Sequence, residues 1–73
     1  MEAELAKILK DMYRGSRHGG TVSMAILFGI RYASDLELKD VSLAKVVKLS
    51  GIPMSYCHEV RKGVKLSKFV QEK

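Results

Sequence analysis

Residues 43–63 read LAKVVKLSGIPMSYCHEVRKG, two amphipathic segments joined at a glycine. The first segment, residues 43–50, places its apolar side chains on one face. It follows Ser42, whose hydroxyl can accept a hydrogen bond from a free amide of the first helical turn. Gly51 can adopt the left-handed conformation in which many helices end, so the chain can turn sharply there. The stretch therefore predicts a helix over residues 43–50 that ends at Gly51.

A second helix is expected over residues 53–62. Pro53 suits a helix start, because it has no amide hydrogen to leave unpaired and its φ angle is already near the helical value. A helix, a tight turn and a second helix make residues 43–62 a helix-turn-helix.

The remaining segments predict more helices. Apolar side chains at positions 5, 8, 9 and 12 have helical spacing, which indicates an amphipathic helix that ends near Arg14. Residues 15–20 are rich in glycine and predict a basic loop. The tail, residues 64–73, fits either a short helix or an irregular docked segment. We expect residues 1–73 to form one all-α domain, a small bundle of four or five helices that contains the helix-turn-helix.

Residues 22–36 are apolar on nearly every side and are predicted to form one helix. Thr21 or Ser23 can cap it with a side-chain hydroxyl. A helix of this kind either lies at the centre of the bundle or leaves one face for a second subunit. A homodimer through residues 22–36 is therefore one of two open alternatives.

Composition narrows the classes of function. Cys57 is the only cysteine, so no intrachain disulfide can form, and a lone thiol suits the reducing cytoplasm. The chain shows neither a leader pattern nor an apolar run long enough for a membrane span, so we expect a soluble protein.

Residues 1–40 balance in charge, and residues 41–73 carry the whole net charge of +5. This asymmetry favours a polyanionic partner for the second half, and ordinary solubility charge is the alternative.

A helix over residues 53–62 would divide its side chains between two faces. Cys57 and Val60, with Tyr56 beside them, are predicted to face the domain. The opposite face is predicted to contact base edges in the major groove through Met54, Ser55, His58, Glu59 and Lys62. Basic side chains around this face are predicted to contact DNA phosphates, namely Lys45, Lys48, Arg61, Lys65 and Lys68.

Residues 43–63 resemble the helix-turn-helix core of the phage-repressor class of bacterial DNA-binding domains. The match rests on Gly51-Ile52 at the turn, Ser55-Tyr56 in the second helix and Val60-Arg61-Lys62-Gly63 at its end. The whole chain is also similar to small bacterial domains described as helix-turn-helix-like. The resemblance implies double-stranded DNA binding by a bacterial or phage transcriptional regulator or a DNA-targeting module. The alternative is a protein-interaction module with Met54, Tyr56 and His58 as its contact patch.

Three residues depart from the pattern of that class. Val47 replaces a small residue, so the two helices should cross at a wider separation. Pro53 replaces the usual capping hydroxyl. Glu59 puts a negative charge in the middle of the reading face, where it repels phosphates.

Catalytic and metal-binding roles are not expected. Cys57 and His58 are neighbours on a helix, so their side chains point about 100° apart, and no further Cys or His stands at a ligand spacing. A nucleophilic Cys57 would also lack a base, and a small bundle offers little room for a substrate pocket. The sequence therefore predicts no enzyme activity, no metal and no cofactor.

Overall fold

A computed structural model describes residues 1–16 and 20–70 of the chain. These residues form five helices in the order α1 (Glu2–Gly15), α2 (Thr21–Arg31), α3 (Ala33–Leu36), α4 (Leu43–Ser50) and α5 (Tyr56–Leu66). No strand occurs within the described ranges. The predicted all-α bundle of four or five helices is confirmed.

Two helix pairs provide most of the packing. α2 lies against α5, and α1 lies against α4 and also contacts α2. The largest fully buried side chains come from four of the helices and are Leu9, Phe28, Val46, Val47 and Val60. Burial of a side chain of this size contributes about 1.5–3 kcal/mol to stability. One shared core therefore holds α1, α2, α4 and α5 together.

The apolar segment predicted as one helix over residues 22–36 is two helices in the structure. Tyr32 has φ −110° and ψ 22°, outside the helical range, and separates α2 from α3. Backbone hydrogen bonds continue across the junction, from the Tyr32 amide to the Phe28 carbonyl and from the Leu36 amide to the Tyr32 carbonyl. The helical spacing of apolar residues therefore persists through the break, which is why the sequence pattern does not show it.

The capping hydroxyl predicted for this segment is wrong. α2 begins after Gly20, and neither Thr21 nor Ser23 caps it. The Thr21 hydroxyl instead accepts a hydrogen bond from the Tyr56 hydroxyl at 2.9 Å. The Thr21 hydroxyl therefore contacts α5 instead of capping α2.

Local signals define α4 and the turn that follows it. The predicted cap at Ser42 is present, since its hydroxyl accepts a hydrogen bond from the Lys45 amide at 3.3 Å. Gly51 ends α4 with φ 81°, in the left-handed region. The buried Ser50 hydroxyl donates to the Val47 carbonyl at 2.5 Å and accepts from the Ile52 amide at 3.4 Å. These hydrogen bonds fix the direction in which the chain leaves α4.

The second helix of the helix-turn-helix begins at Tyr56 instead of Pro53. Residues 53–55 form a tight turn, because the amides of residues 56, 57 and 58 bond to carbonyls three positions earlier. Met54 and Ser55 therefore lie in this turn, before the first residue of α5.

The same helix continues to Leu66, past the end predicted at Lys62. Gly63 is buried inside α5, where it meets Gly29 of α2. A Cβ atom at Gly63 would overlap the Ile26 carbonyl oxygen, so glycine is needed there for close helix packing. Gly63 is a packing residue of the helix interior, not a terminator.

The tail therefore begins as helix: residues 64–66 belong to α5, and residues 67–69 form a turn. The Phe69 side chain is 84% exposed. Residues 71–73 of the predicted tail and residues 17–19 of the predicted loop lie outside the described residues. No helix in the described part of the chain has both the length and the apolar character needed to cross a lipid bilayer.

Candidate nucleic-acid interface

α5 presents one face to the bundle and the other to solvent. Val60 and Gly63 are buried, and Cys57 is partly buried beside them. The predicted inward orientation of Cys57 and Val60 is therefore confirmed. His58 and Lys62 are exposed on the opposite side of the helix. This division leaves a polar surface that can approach a ligand without unpacking the core.

The exposed face is centred on His58, Lys62 and Lys65. Their spacing of i, i+4 and i+7 places them on one side of the helix, and all three are exposed. Arg61 lies at one flank of this face and is also exposed. The term α5 face refers below to His58, Arg61, Lys62 and Lys65.

Lys65 is the residue whose position the sequence interpretation missed, because it was placed beyond the end of the reading helix. Its spacing from His58 and Lys62 was visible in the sequence. Gly63 hid this signal, because a glycine near the expected end of a helix is usually taken as its terminator.

The five predicted base-reading residues are not all on the helix. His58 and Lys62 lie on the α5 face, whereas Met54 and Ser55 are exposed in the preceding turn. Glu59 is partly buried and lies at the flank opposite Arg61. The structure thus brings two of the five residues to the centre of the face and the other three to its borders.

Glu59 forms an ion pair with Lys62. The Glu59 Oε1 and Lys62 Nζ atoms are 3.3 Å apart, and the side chains are 23% and 63% exposed, respectively. An ion pair at the surface contributes about 0–1 kcal/mol, so it is easily broken by a competing ligand. Lys62 can therefore leave Glu59 for a stronger partner.

Two of the predicted phosphate-binding lysines lie on the outer face of α4. Lys45 and Lys48, together with Met54, border one open depression, so these lysines lie beside the turn that precedes α5. Lys45 Nζ lies 3.5 Å from a carboxylate oxygen of Glu2. The set has two further members outside the centre of the α5 face, Arg61 and Lys68. Both are exposed.

Tyr56 fixes the start of α5 to the rest of the bundle. Its hydroxyl donates to Thr21, and its ring meets the Tyr13 ring edge to face at a centroid distance of 5.7 Å. The side chain is partly buried. It therefore anchors the start of α5 to α1 and α2, whereas Met54 and His58, the other residues of the predicted contact patch, are exposed.

Cys57 has the environment of a packing residue. Burial raises the pKa of its thiol, and the positive charge of Arg61 offsets part of that rise. The thiol is therefore protonated at neutral pH, the less nucleophilic form. Within residues 1–16 and 20–70, no group of three His, Cys, Asp or Glu side chains is arranged to hold a metal ion.

Comparison with known proteins identifies the family of the chain. No curated protein and no solved structure matches it significantly. The family described as the HTH-like domain matches residues 1–73, the full length of the sequence. This match agrees with the arrangement of α4, the Gly51 turn and α5. The protein belongs to the HTH-like domain family.

Proposed function

We propose that the protein binds double-stranded DNA with α5 in the major groove. The observation that carries the proposal is the α5 face, where Arg61, Lys62 and Lys65, together with His58, lie opposite the buried Val60 and Gly63. The helix has 11 residues, or about 16 Å of length, and the major groove is about 12 Å wide and admits one α-helix. The groove can therefore receive the exposed side of α5 while the core stays intact.

The proposal gives base-reading roles to the centre of this surface. Lys62 and Lys65 can donate to guanine, and His58 can donate or accept. Met54 and Ser55 can reach the neighbouring bases from the turn. Glu59 can accept from the amino group of cytosine once Lys62 has left it.

Phosphate contacts come from the borders of the surface in this proposal. Lys45 and Lys48 approach the backbone from α4, and Arg61 and Lys68 approach it from the second helix and its C-terminal end. Such contacts fix the position of the protein on the duplex without reading its sequence. Binding should therefore weaken steeply as salt is added.

The cellular role is proposed from the family match and from the resemblance of residues 43–63 to the phage-repressor class. We propose a bacterial or phage transcriptional regulator, or the DNA-targeting module of a larger assembly, that works in the reducing cytoplasm. The proposal includes no catalytic role and no cofactor.

A charge-reversal variant tests the proposed interface. We expect Lys62→Glu combined with Lys65→Glu to weaken duplex binding about 100-fold or more, since two base contacts of about 1–3 kcal/mol each are replaced by repulsion. Fluorescence anisotropy with a labelled duplex at about 50 mM salt measures the loss. Lys7→Glu combined with Lys39→Glu is the control, since it makes the same charge change at exposed residues away from α5. Circular dichroism must show an unchanged helix content for both variants.

Two results would contradict the proposal. The first is an absence of binding by the unsubstituted protein at about 50 mM salt to any duplex from a random pool. The second is equal loss of affinity in the two double variants, because it would show that only net charge matters and not the α5 face.

A further inference from the structure

α4 exposes a leucine among lysines on the side that turns away from the core. The inward face of α4 is formed by Val46, Val47 and Ser50, which are buried, whereas the Leu49 side chain is 52% exposed. Leu49 borders two open depressions. The first, of about 630 Å³, is also lined by Ala44 and Met54.

The second depression connects this surface to α1. It has a volume of about 280 Å³ and is lined by Leu49 together with Ala3, Ala6, Lys7 and Lys10. Because Leu49 belongs to both, the two depressions form one surface across α1 and α4. We define the Leu49 patch as Ala44, Leu49 and Met54 with Lys7, Lys10 and Lys48 at the rim.

The charges of the rim are available to a partner. Within residues 1–16 and 20–70, no carboxylate oxygen forms an ion pair with Lys7, Lys10 or Lys48, although Glu2 pairs with the nearby Lys45. A single exposed leucine is common on protein surfaces. Here Leu49 is joined by Ala44 and Met54 on one side, beside Lys48, and by Lys7 and Lys10 on the other. Apolar side chains next to unpaired cations form a more specific surface, because one ligand must supply both apolar and acidic groups to match them.

We propose that the Leu49 patch binds an amphipathic acidic segment of another protein. An apolar side chain of that segment covers Leu49 and Met54, and carboxylates on its flanks pair with the lysines of the rim. A DNA backbone could pair with the same lysines, but it has no large apolar group to cover Leu49. The combination of charge and apolar surface therefore favours a protein partner over a nucleic acid.

The inference does not depend on the proposed DNA function. Lys7, Lys10 and Leu49 take no part in the proposed duplex contacts, whereas Lys48 and Met54 belong to both surfaces. Substitutions at Leu49 and on α1 therefore test the patch separately from DNA binding.

The test uses the full chain and a synthetic helical peptide with leucines along one face and glutamates on both flanks. We expect binding by fluorescence anisotropy, with amide NMR shifts concentrated at Ala44, Leu49 and the adjoining turn of α1. Leu49→Gln should weaken peptide binding about 10-fold or more, as expected for a central apolar contact. Leu38→Gln is the matched control, because Leu38 is 48% exposed and lies outside the patch.

A second variant and a second peptide separate specific docking from charge attraction. Lys7→Glu combined with Lys10→Glu should also weaken binding. A peptide of the same composition with its leucines distributed around the helix should bind at least about 10-fold more weakly. The Lys62→Glu and Lys65→Glu double variant should keep its peptide affinity even where it loses DNA.

Several outcomes would overturn the inference. They are no binding of the amphipathic peptide, equal binding of the two peptides, and peptide affinity unchanged by Leu49→Gln. Self-association that Leu49→Gln abolishes would assign the patch to a second copy of the chain. Loss of duplex affinity in Leu49→Gln would assign it to DNA.

Discussion

Gly29 and Gly63 allow the backbones of α2 and α5 to meet. A Cβ atom at Gly63 would overlap the Ile26 carbonyl oxygen, and one at Gly29 would overlap the Val60 carbonyl oxygen. A helix carbonyl cannot move aside as the end of a flexible side chain can, so relief would require the helices to separate. The two glycines therefore set how α5 lies on the bundle and where its exposed face points.

We expect Gly63→Ala to lower the free energy of unfolding by about 3 kcal/mol or more, the upper range for overpacking. Urea denaturation followed by circular dichroism measures the change. Gly15→Ala is the control, because nothing lies within 4 Å of its Cβ position and alanine favours a helix over glycine by about 1 kcal/mol. A Gly63→Ala protein as stable as the unsubstituted one would contradict the close packing of α2 and α5.

Glu59 is the acidic side chain at the border of the proposed DNA surface. Its carboxylate pairs with Lys62 and would also repel phosphates. We expect Glu59→Gln to raise the affinity for random-sequence duplex DNA about 3- to 10-fold at low salt, because the repulsion is removed and Lys62 is released. Fluorescence anisotropy measures the change, with Glu37→Gln as the control at an exposed acid outside the α5 face.

The same substitution tests whether Glu59 reads a base. If its carboxylate accepts from cytosine, duplexes selected by Glu59→Gln should lose a preference for cytosine that the unsubstituted protein shows. A lower affinity of Glu59→Gln for random duplexes would show that the carboxylate aids binding, contrary to our expectation.

At the scale of elements, the Glu2 carboxylate joins the first turns of α1 and α4. It accepts a hydrogen bond from the Ser42 amide at 2.6 Å and lies 3.5 Å from Lys45 Nζ. The hydrogen bond from Ser42 is the main reason that the pKa of Glu2 is lowered, and the charge of Lys45 adds to it. The ionised carboxylate therefore holds the start of α4 against α1.

A pKa that is lower in the folded state than in the unfolded state means that the ionised form favours folding. The contribution of Glu2 to stability is therefore fully present above the ordinary pKa of glutamate. It is lost as the pH falls through the lowered pKa. We expect the difference in free energy of unfolding between the unsubstituted protein and Glu2→Gln to be constant near neutral pH and to vanish in acid.

Urea titrations at a series of pH values measure this difference. The same comparison with Glu37→Gln gives the background for an exposed acid. If the difference in free energy of unfolding between the unsubstituted protein and Glu2→Gln were the same in acid as at neutral pH, the substitution would act through packing and not through charge.

The helices differ in how far their sequences predict them. The start and end of α4 were predictable, because Ser42 and Gly51 act on the backbone within a few residues. The end of α5 was not, because Gly63 has its role through contact with Gly29, far away in the chain. The break between α2 and α3 at Tyr32 was not predictable either, because the helical spacing of apolar residues continues across it.

Some features of the candidate site were likewise predictable from the sequence, and others were not. The exposure of His58 and Lys62 followed from helical periodicity on either side of Val60. Lys65 was assigned to the border because the end of α5 was placed too early. The pairing of Glu59 with Lys62 depends on side-chain positions, which periodicity does not specify.

At the scale of the whole molecule, the α5 face and the Leu49 patch are two exposed surfaces with lysines in each. The proposed duplex contacts and the Leu49 patch share Met54 and Lys48, which line one depression. A duplex and an acidic protein segment would therefore compete for part of the same charge. The two surfaces differ in the chemistry at their centres, which is polar on α5 and apolar around Leu49.

For the proposed DNA function, the number of subunits decides how many α5 faces can contact one duplex. A homodimer through residues 22–36 stays a prediction, and the chain itself covers much of that segment. Met24, Ala25, Phe28 and Gly29 are buried within one subunit, whereas Val22 is 45% exposed. The apolar side chains that suggested a contact with a second subunit thus pack largely inside the bundle.

We therefore expect a monomeric mass by light scattering at micromolar concentration and one short motif in duplexes selected from a random pool. A monomer places one α5 in one groove, whereas a two-fold dimer would read two half-sites about 34 Å apart. Selection of an inverted repeat would contradict the expectation and show that dimers form on DNA. If Val22→Asp then removed the second half-site and kept the first, the dimer contact would lie on α2. Retention of both half-sites would place the contact elsewhere.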